Sequence, residues 1–142
     1  MFNLFGKKKK EENEVKEIVL NSLKVSIYKE MEEIKKWNEE TFPDATLGGQ
    51  LEKLEEEYEE YFSEEDEDKQ EKELADIFIV LGGLRRWKSR IGCCIENVMF
   101  EGMPLGTAFR LLFNIKEKME INRKRVWKKS GDGKFHHKEG TK

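Results

Sequence analysis

Proline and cysteine are scarce in this chain, with two of each in 142 residues. Only Pro43 and Pro104 interrupt the backbone, so long helices meet few obstacles. Cys93 and Cys94 are adjacent, a poor arrangement for a structural disulfide, and no CxxC pair suggests a metal clip. A reducing, cytoplasmic compartment is the expectation. No run approaches the roughly 20 apolar residues of a membrane-spanning helix. The apolar start is too short for a signal peptide, and its lysines follow the apolar residues instead of preceding them. A soluble protein with no membrane partner is expected. Runs in which β-branched residues alternate with polar ones are rare, which argues against extended sheet. The connector SEEDEDKQ lacks the mid-loop glycine of a calcium loop. His136 and His137 lack the further ligands that zinc would need.

What is abundant is charge and helix-forming residues. Charged residues make up 40% of the chain and hydrophobic ones 37%. This mix predicts an all-α protein, a bundle of four to five helices. The expected layout is a flexible basic arm over 1–13, a helical domain over 14–128 and a tail over 129–142. The net charge of -3 is unevenly spread. Residues 52–76 are strongly acidic, and the segment from Arg110 onward is rich in Lys and Arg.

Apolar spacing predicts a first helix from Glu14 to about Glu40, with Val15, Ile18, Val19, Leu23, Ile27, Met31, Ile34 and Trp37 forming its stripe. Pro43 ends it, and Asp44 or Thr46 is placed to cap the next helix. That helix, about Leu47 to Phe62, buries Leu47, Leu51, Leu54, Tyr58 and Tyr61. A third, about Lys69 to Leu84, is apolar over most of its circumference and should be central or lie at an oligomer interface, with Gly82 and Gly83 loosening its end. The stretch after it is hard to read. Cys93 and Cys94 are expected to pack as small apolar residues, and Pro104 to open a helix over Leu105 to Val126. Phe109, Phe113 and Trp127 read as core.

Two carboxylate groups interrupt this pattern. On the second helix Glu57 lies roughly 60° from Leu54 at the stripe's edge, with Glu56 and Glu60 on the same flank and Lys53 among them. Glu52, Glu55 and Glu59 point elsewhere and read as solvated charge. On the third, Glu73 lies roughly 40° from Ile77, inside the apolar arc, with Asp76 adjacent. A carboxylate there requires a cation, a basic partner or a proton. Packing these helices together would gather up to five carboxylates, and each pair at about 4 Å repels by about 4 kcal/mol at an effective dielectric near 20. An all-oxygen set favours Mg²⁺, with Mn²⁺ as a substitute, over zinc. Lys118, Asn122 and Arg125, at i, i+4 and i+7, supply two cations and an amide for phosphate oxygens. The chemistry suggested is metal-assisted phosphate hydrolysis. The competing view is structural, with the acids paired to Lys and Arg.

The ordered set Glu56-Glu57-x-x-Glu60, then Glu73-x-x-Asp76, resembles the EExxE…ExxD signature of the MazG-like all-α nucleoside triphosphate pyrophosphohydrolases, relatives of dimeric dUTPases and dCTP pyrophosphatases. KLEEEYEEYF and KELADIFIVL resemble the two helices of that signature, and KMEINRKRVW a downstream element. The resemblance covers roughly Trp37 to His137, and the additional Glu55 and Glu59 blur the register of its first part. It implies Glu57, Glu60, Glu73 and Asp76 as Mg²⁺ ligands and Glu56 as the residue orienting or deprotonating the water, with Glu57 beside it. It also implies that Lys118, Asn122 and Arg125 contact the triphosphate, and Lys53, Gln50 and Trp37 join them as candidate substrate contacts. Cleavage would fall between the α and β phosphates, in a homodimer or homotetramer. The alternative is a helical nucleotide- or nucleic-acid-binding protein without catalysis. Nucleic acid is the weaker expectation, because aromatic residues for base stacking are sparse.

Overall fold

The computed structural model describes residues 4–129 and 135–137. Five helices carry the chain: α1 (Leu4–Thr41), α2 (Leu47–Ser63), α3 (Glu67–Leu84), α4 (Arg90–Phe100) and α5 (Leu105–Lys124). A 3-10 turn at Arg85–Trp87 links α3 to α4. After α5, two three-residue strands, β1 (Trp127–Lys129) and β2 (Phe135–His137), pair antiparallel with Trp127 opposite His137. The protein is thus all-α, with a small hairpin where a turn-like tail was expected. Residues 130–134 and 138–142 of that tail, and 1–3 of the expected arm, lie outside the described residues. No described helix is long and apolar enough to cross a membrane.

The boundaries follow local chemistry. Thr46 Oγ1 accepts from the Gly49 amide at 3.0 Å and caps α2. Asp66 caps α3 through the Lys69 amide at 3.0 Å, with Glu67 and Asp68 in the positive first turn. Pro104 stands at the N-cap of α5, where its missing N–H costs nothing. Lys88, in the left-handed region at φ 52°, turns the chain between the 3-10 segment and α4.

Helix α3 is the centre of the bundle, packing against α1, α2 and α5. Ile77, Phe78 and Leu81 are fully buried, each stabilising the fold by roughly 1.5–3 kcal/mol. Side-chain pairs set the directions. Glu57 meets Asp76 and Glu60 meets Glu73, so α2 and α3 run antiparallel. Asp76 pairs with Lys118 and Glu71 with Arg110, so α3 and α5 run in the same sense.

Several expectations are corrected. Helix α1 starts at Leu4, so residues 4–13 are helical, and Val15, Ile18 and Val19 are exposed. Length explains this: 38 residues make a rod of about 57 Å, whereas the 18 residues of α3 span about 27 Å. Burial becomes complete only from Ile27 onward. Gly82 and Gly83 do not loosen α3. Both are buried inside it, and a Cβ would lie 2.9 Å from Ile34 Cγ2 at the first and 2.7 Å from Asn38 Nδ2 at the second. They let α1 approach closely. Helix α4 buries Gly92, Glu96 and Phe100, which leaves Cys93 and Cys94 exposed on its outer side. Helix α5 ends at Lys124 and buries Ala108, Leu111, Ile115 and Met119, so Phe109 and Phe113 face outward. Trp127 is half-buried.

The unreadable stretch after α3 is anchored by a buried ion pair. Arg85 donates from Nε and Nη2 to the two oxygens of Glu96, at 3.1 and 3.2 Å. A third bond reaches Glu32 at 2.8 Å, and the guanidinium lies 5.1 Å from the Tyr28 ring centre. Glu96 is only 6% exposed, so the fork is its compensation for burial.

Candidate metal and phosphate site

Where α2 crosses α3, carboxylate oxygens of Glu57, Glu60 and Glu73 lie within 4.8 Å of one another. Glu57 is buried, Glu73 half-buried and Glu60 exposed, so the group grades from the core to solvent. Two of its oxygens, Glu57 Oε2 and Glu73 Oε2, are buried with no hydrogen-bond partner among the described residues. Burial pushes Glu57 up to about 7, reinforced by the Asp76 charge and opposed by Lys53. Glu73 is raised by burial and then by Asp76. Asp76 is raised by burial, against the lowering effect of Lys118. Three acids whose charged forms are all disfavoured suit a cation. The orphaned oxygens and the all-oxygen donor set fit a hard divalent ion such as Mg²⁺.

Asp76 is not within the tight group. Its Oδ2 accepts from Lys118 Nζ at 2.6 Å. Lys53 lies 3.3 Å from Glu57 and 3.8 Å from Glu56, so it partly neutralises the α2 acids. Glu56 stands beside Lys53 but outside the wall of the adjoining cavity. Glu52, Glu55 and Glu59 are exposed.

The carboxylates border a cavity of about 530 Å³. Glu57, Glu60 and Asp76 form one part of its wall, and Lys53, Lys118, Asn122 and Arg125 bring the basic and amide groups to the same space. Arg125 lies just past the end of α5 yet keeps its place there, with Nη1 donating to Asn122 Oδ1 at 3.2 Å. Its buried Nε has no partner among the described residues. Ile79 and Val80 supply apolar wall, and Trp37, Phe42 and Trp127 meet edge to face with centroids 5.1 to 6.0 Å apart.

No family model, curated protein or solved structure matches the chain. The site must be judged on its own groups. Of the residues singled out from sequence, Trp37, Gln50, Lys53, Glu57, Glu60, Asp76, Lys118, Asn122 and Arg125 border one cavity, Glu73 joins through the carboxylate group, and Glu56 stands outside. Three wall residues were not singled out from the sequence: Phe42, Ile121 and the buried Asn38. Asn38 left a signal. It continues the buried series Ile27, Met31, Ile34 at helical spacing, so a polar residue occupies a core register.

Proposed function

We propose that the protein is a Mg²⁺-dependent nucleoside triphosphate pyrophosphohydrolase, releasing a nucleoside monophosphate and pyrophosphate. The observation that carries this reading is the meeting, in one cavity, of under-neutralised acids with an unpartnered guanidinium nitrogen. Buried carboxylate oxygens without a partner beside a buried guanidinium nitrogen without one are what a metal-bound polyphosphate would complete. The resemblance to the MazG-like enzymes supports the same reaction.

In this mechanism Glu57, Glu60, Glu73 and Asp76 would hold Mg²⁺, with Mn²⁺ able to replace it. Bound there, the ion supplies Lewis acidity toward a phosphoryl oxygen and makes water more acidic. The protein's own groups do the rest. Lys118 turns from Asp76 to a phosphate oxygen, and Arg125 Nε with the Asn122 amide fixes further oxygens. Glu57, raised to about 7 by burial in the metal-free site, would give up its proton as the ion binds and then orient the attacking water beside Glu56. Glu56, tethered to Lys53, assists from outside the wall. Ile79 and Val80 exclude bulk water from one side. Association into a homodimer or homotetramer would cover the apolar residues exposed on α1 and α5, and sedimentation velocity tests this.

The deciding experiment is pyrophosphate release from a panel of nucleoside triphosphates with Mg²⁺ or Mn²⁺. Glu73→Gln and Asp76→Asn should each lower turnover by at least about a hundredfold while leaving the circular dichroism spectrum unchanged. Wild-type protein that cleaves no member of the panel would overturn the proposal.

A further inference from the structure

The cavity carries two buried amides that neither metal nor phosphate chemistry uses. Asn38 is 5% exposed and Gln50 7%, and both line the wall. No hydrogen bond among the described residues engages the Gln50 side chain or the Asn38 amide nitrogen. The orientation of Asn38 is dictated chemically. Arg86 Nη1, which can only donate, lies 2.9 Å from Asn38 Oδ1 and also bonds the Phe42 carbonyl at 2.8 Å. The oxygen is therefore committed to Arg86, and the NH₂ is left as an unspent donor. That nitrogen packs over Gly83, where a Cβ would intrude.

Position matters as much as chemistry. Gly83 lies seven residues beyond Asp76, about 10 Å along α3, so Asn38 is set back from the acids by about the length of a sugar and its first phosphate. Trp37, Phe42 and Trp127 stand on the same side, and the Trp127 indole is itself held by a bond to the Asn122 carbonyl at 3.1 Å.

We infer that this part of the cavity takes the base of the nucleotide, and that Asn38, oriented by Arg86, selects bases presenting a ring carbonyl oxygen. The inference rests on the nucleotide reading above and deepens it. Adenine offers only ring nitrogens and an amino group on its pairing edge, so it leaves the Asn38 donor unmatched or opposed. Uracil, thymine, cytosine and guanine all carry a carbonyl. Gln50 can present either end of its amide, so it fits the base without selecting it. Arg86 is a positioning residue, acting through Asn38.

The test is the kcat/KM ratio of UTP to ATP in the Mg²⁺ enzyme, with binding of both followed separately by quenching of Trp37 and Trp127 fluorescence. A ratio of about ten to a hundred is expected for wild type, the factor for one unmatched buried donor. Asn38→Asp keeps a partner for Arg86 but replaces the donor by an acceptor, and should bring the ratio to about one or below. Arg86→Lys should lower the ratio at unchanged pyrophosphate affinity, which a purely structural role would not do. If ATP is bound and cleaved as well as UTP, or if Asn38→Asp leaves the ratio unchanged, base selection by Asn38 is overturned while the pyrophosphohydrolase reading stands. If no nucleotide is bound or cleaved, both fall.

Discussion

Glu57 should make the metal-free protein less stable as the pH rises, and replacing it should relieve the loss. The carboxyl is 6% exposed, one oxygen has no partner among the described residues, and Lys53 sits 3.3 Å from the other. Its pKa stands at about 7 in the folded chain against an ordinary 4.5. A group raised in this way binds its proton more tightly folded than unfolded. Its contribution is therefore fully present below pH 4.5 and is lost as pH climbs through 7. The full difference is on the order of 3 kcal/mol. Glu57→Gln keeps the shape and holds the neutral state at every pH. In urea unfolding with a chelator present, variant and wild type should match at pH 4. The variant should then gain progressively, by up to about 3 kcal/mol at pH 8. Adding Mg²⁺ at pH 8 should raise wild-type stability and leave the variant nearly unchanged. A stability difference that stays flat from pH 4 to pH 8 would refute the reasoning, because it would mean that Glu57 ionises as freely in the fold as in water.

Other perturbations separate scaffold from site. Arg85→Ala should cost about 3–5 kcal/mol in chemical denaturation, because it strands Glu96 without its partner. Gly82→Ala should cost about 1–3 kcal/mol, since its Cβ would meet Ile34 and the Met31 carbonyl; an unchanged melting temperature would mean that α1 can move away freely. Lys118→Met should release Asp76, tightening Mg²⁺ in calorimetric titration while raising the KM for nucleotide by about tenfold or more.

Regular features were legible from residue spacing alone. The apolar circumference of α3 placed it at the centre, and Thr46 stands where capping chemistry needs it, whereas the Asp66 cap of α3 was lost in the acidic connector. The placement of Glu73 inside an apolar arc pointed to a carboxylate group that three helical turns of sequence could already outline. What periodicity could not supply was length and partnership. The stripe of α1 continues through Val15, Ile18 and Val19, but nothing in the stripe says where the neighbouring helices stop. The α4 region hangs on Arg85 and Glu96, whose meeting depends on a turn at Lys88 that no apolar pattern encodes. Asn38 was hidden for a related reason: its polarity stood out in the register, but its role depends on Arg86, distant in sequence.

The uneven coverage of α1 implies a gradient of opening along a single helix. Amide protons from Ile27 to Asn38 lie on the buried segment, and their exchange should require opening of the bundle. Those from Leu4 to Val19 belong to turns whose side chains are exposed, and an isolated stretch of that length is marginal in water. Exchange should therefore fall by orders of magnitude from one end of the rod to the other. The turn that delivers Asn38 to the cavity sits at the slow end, clamped by Arg86, so fraying at the far end leaves its aim undisturbed.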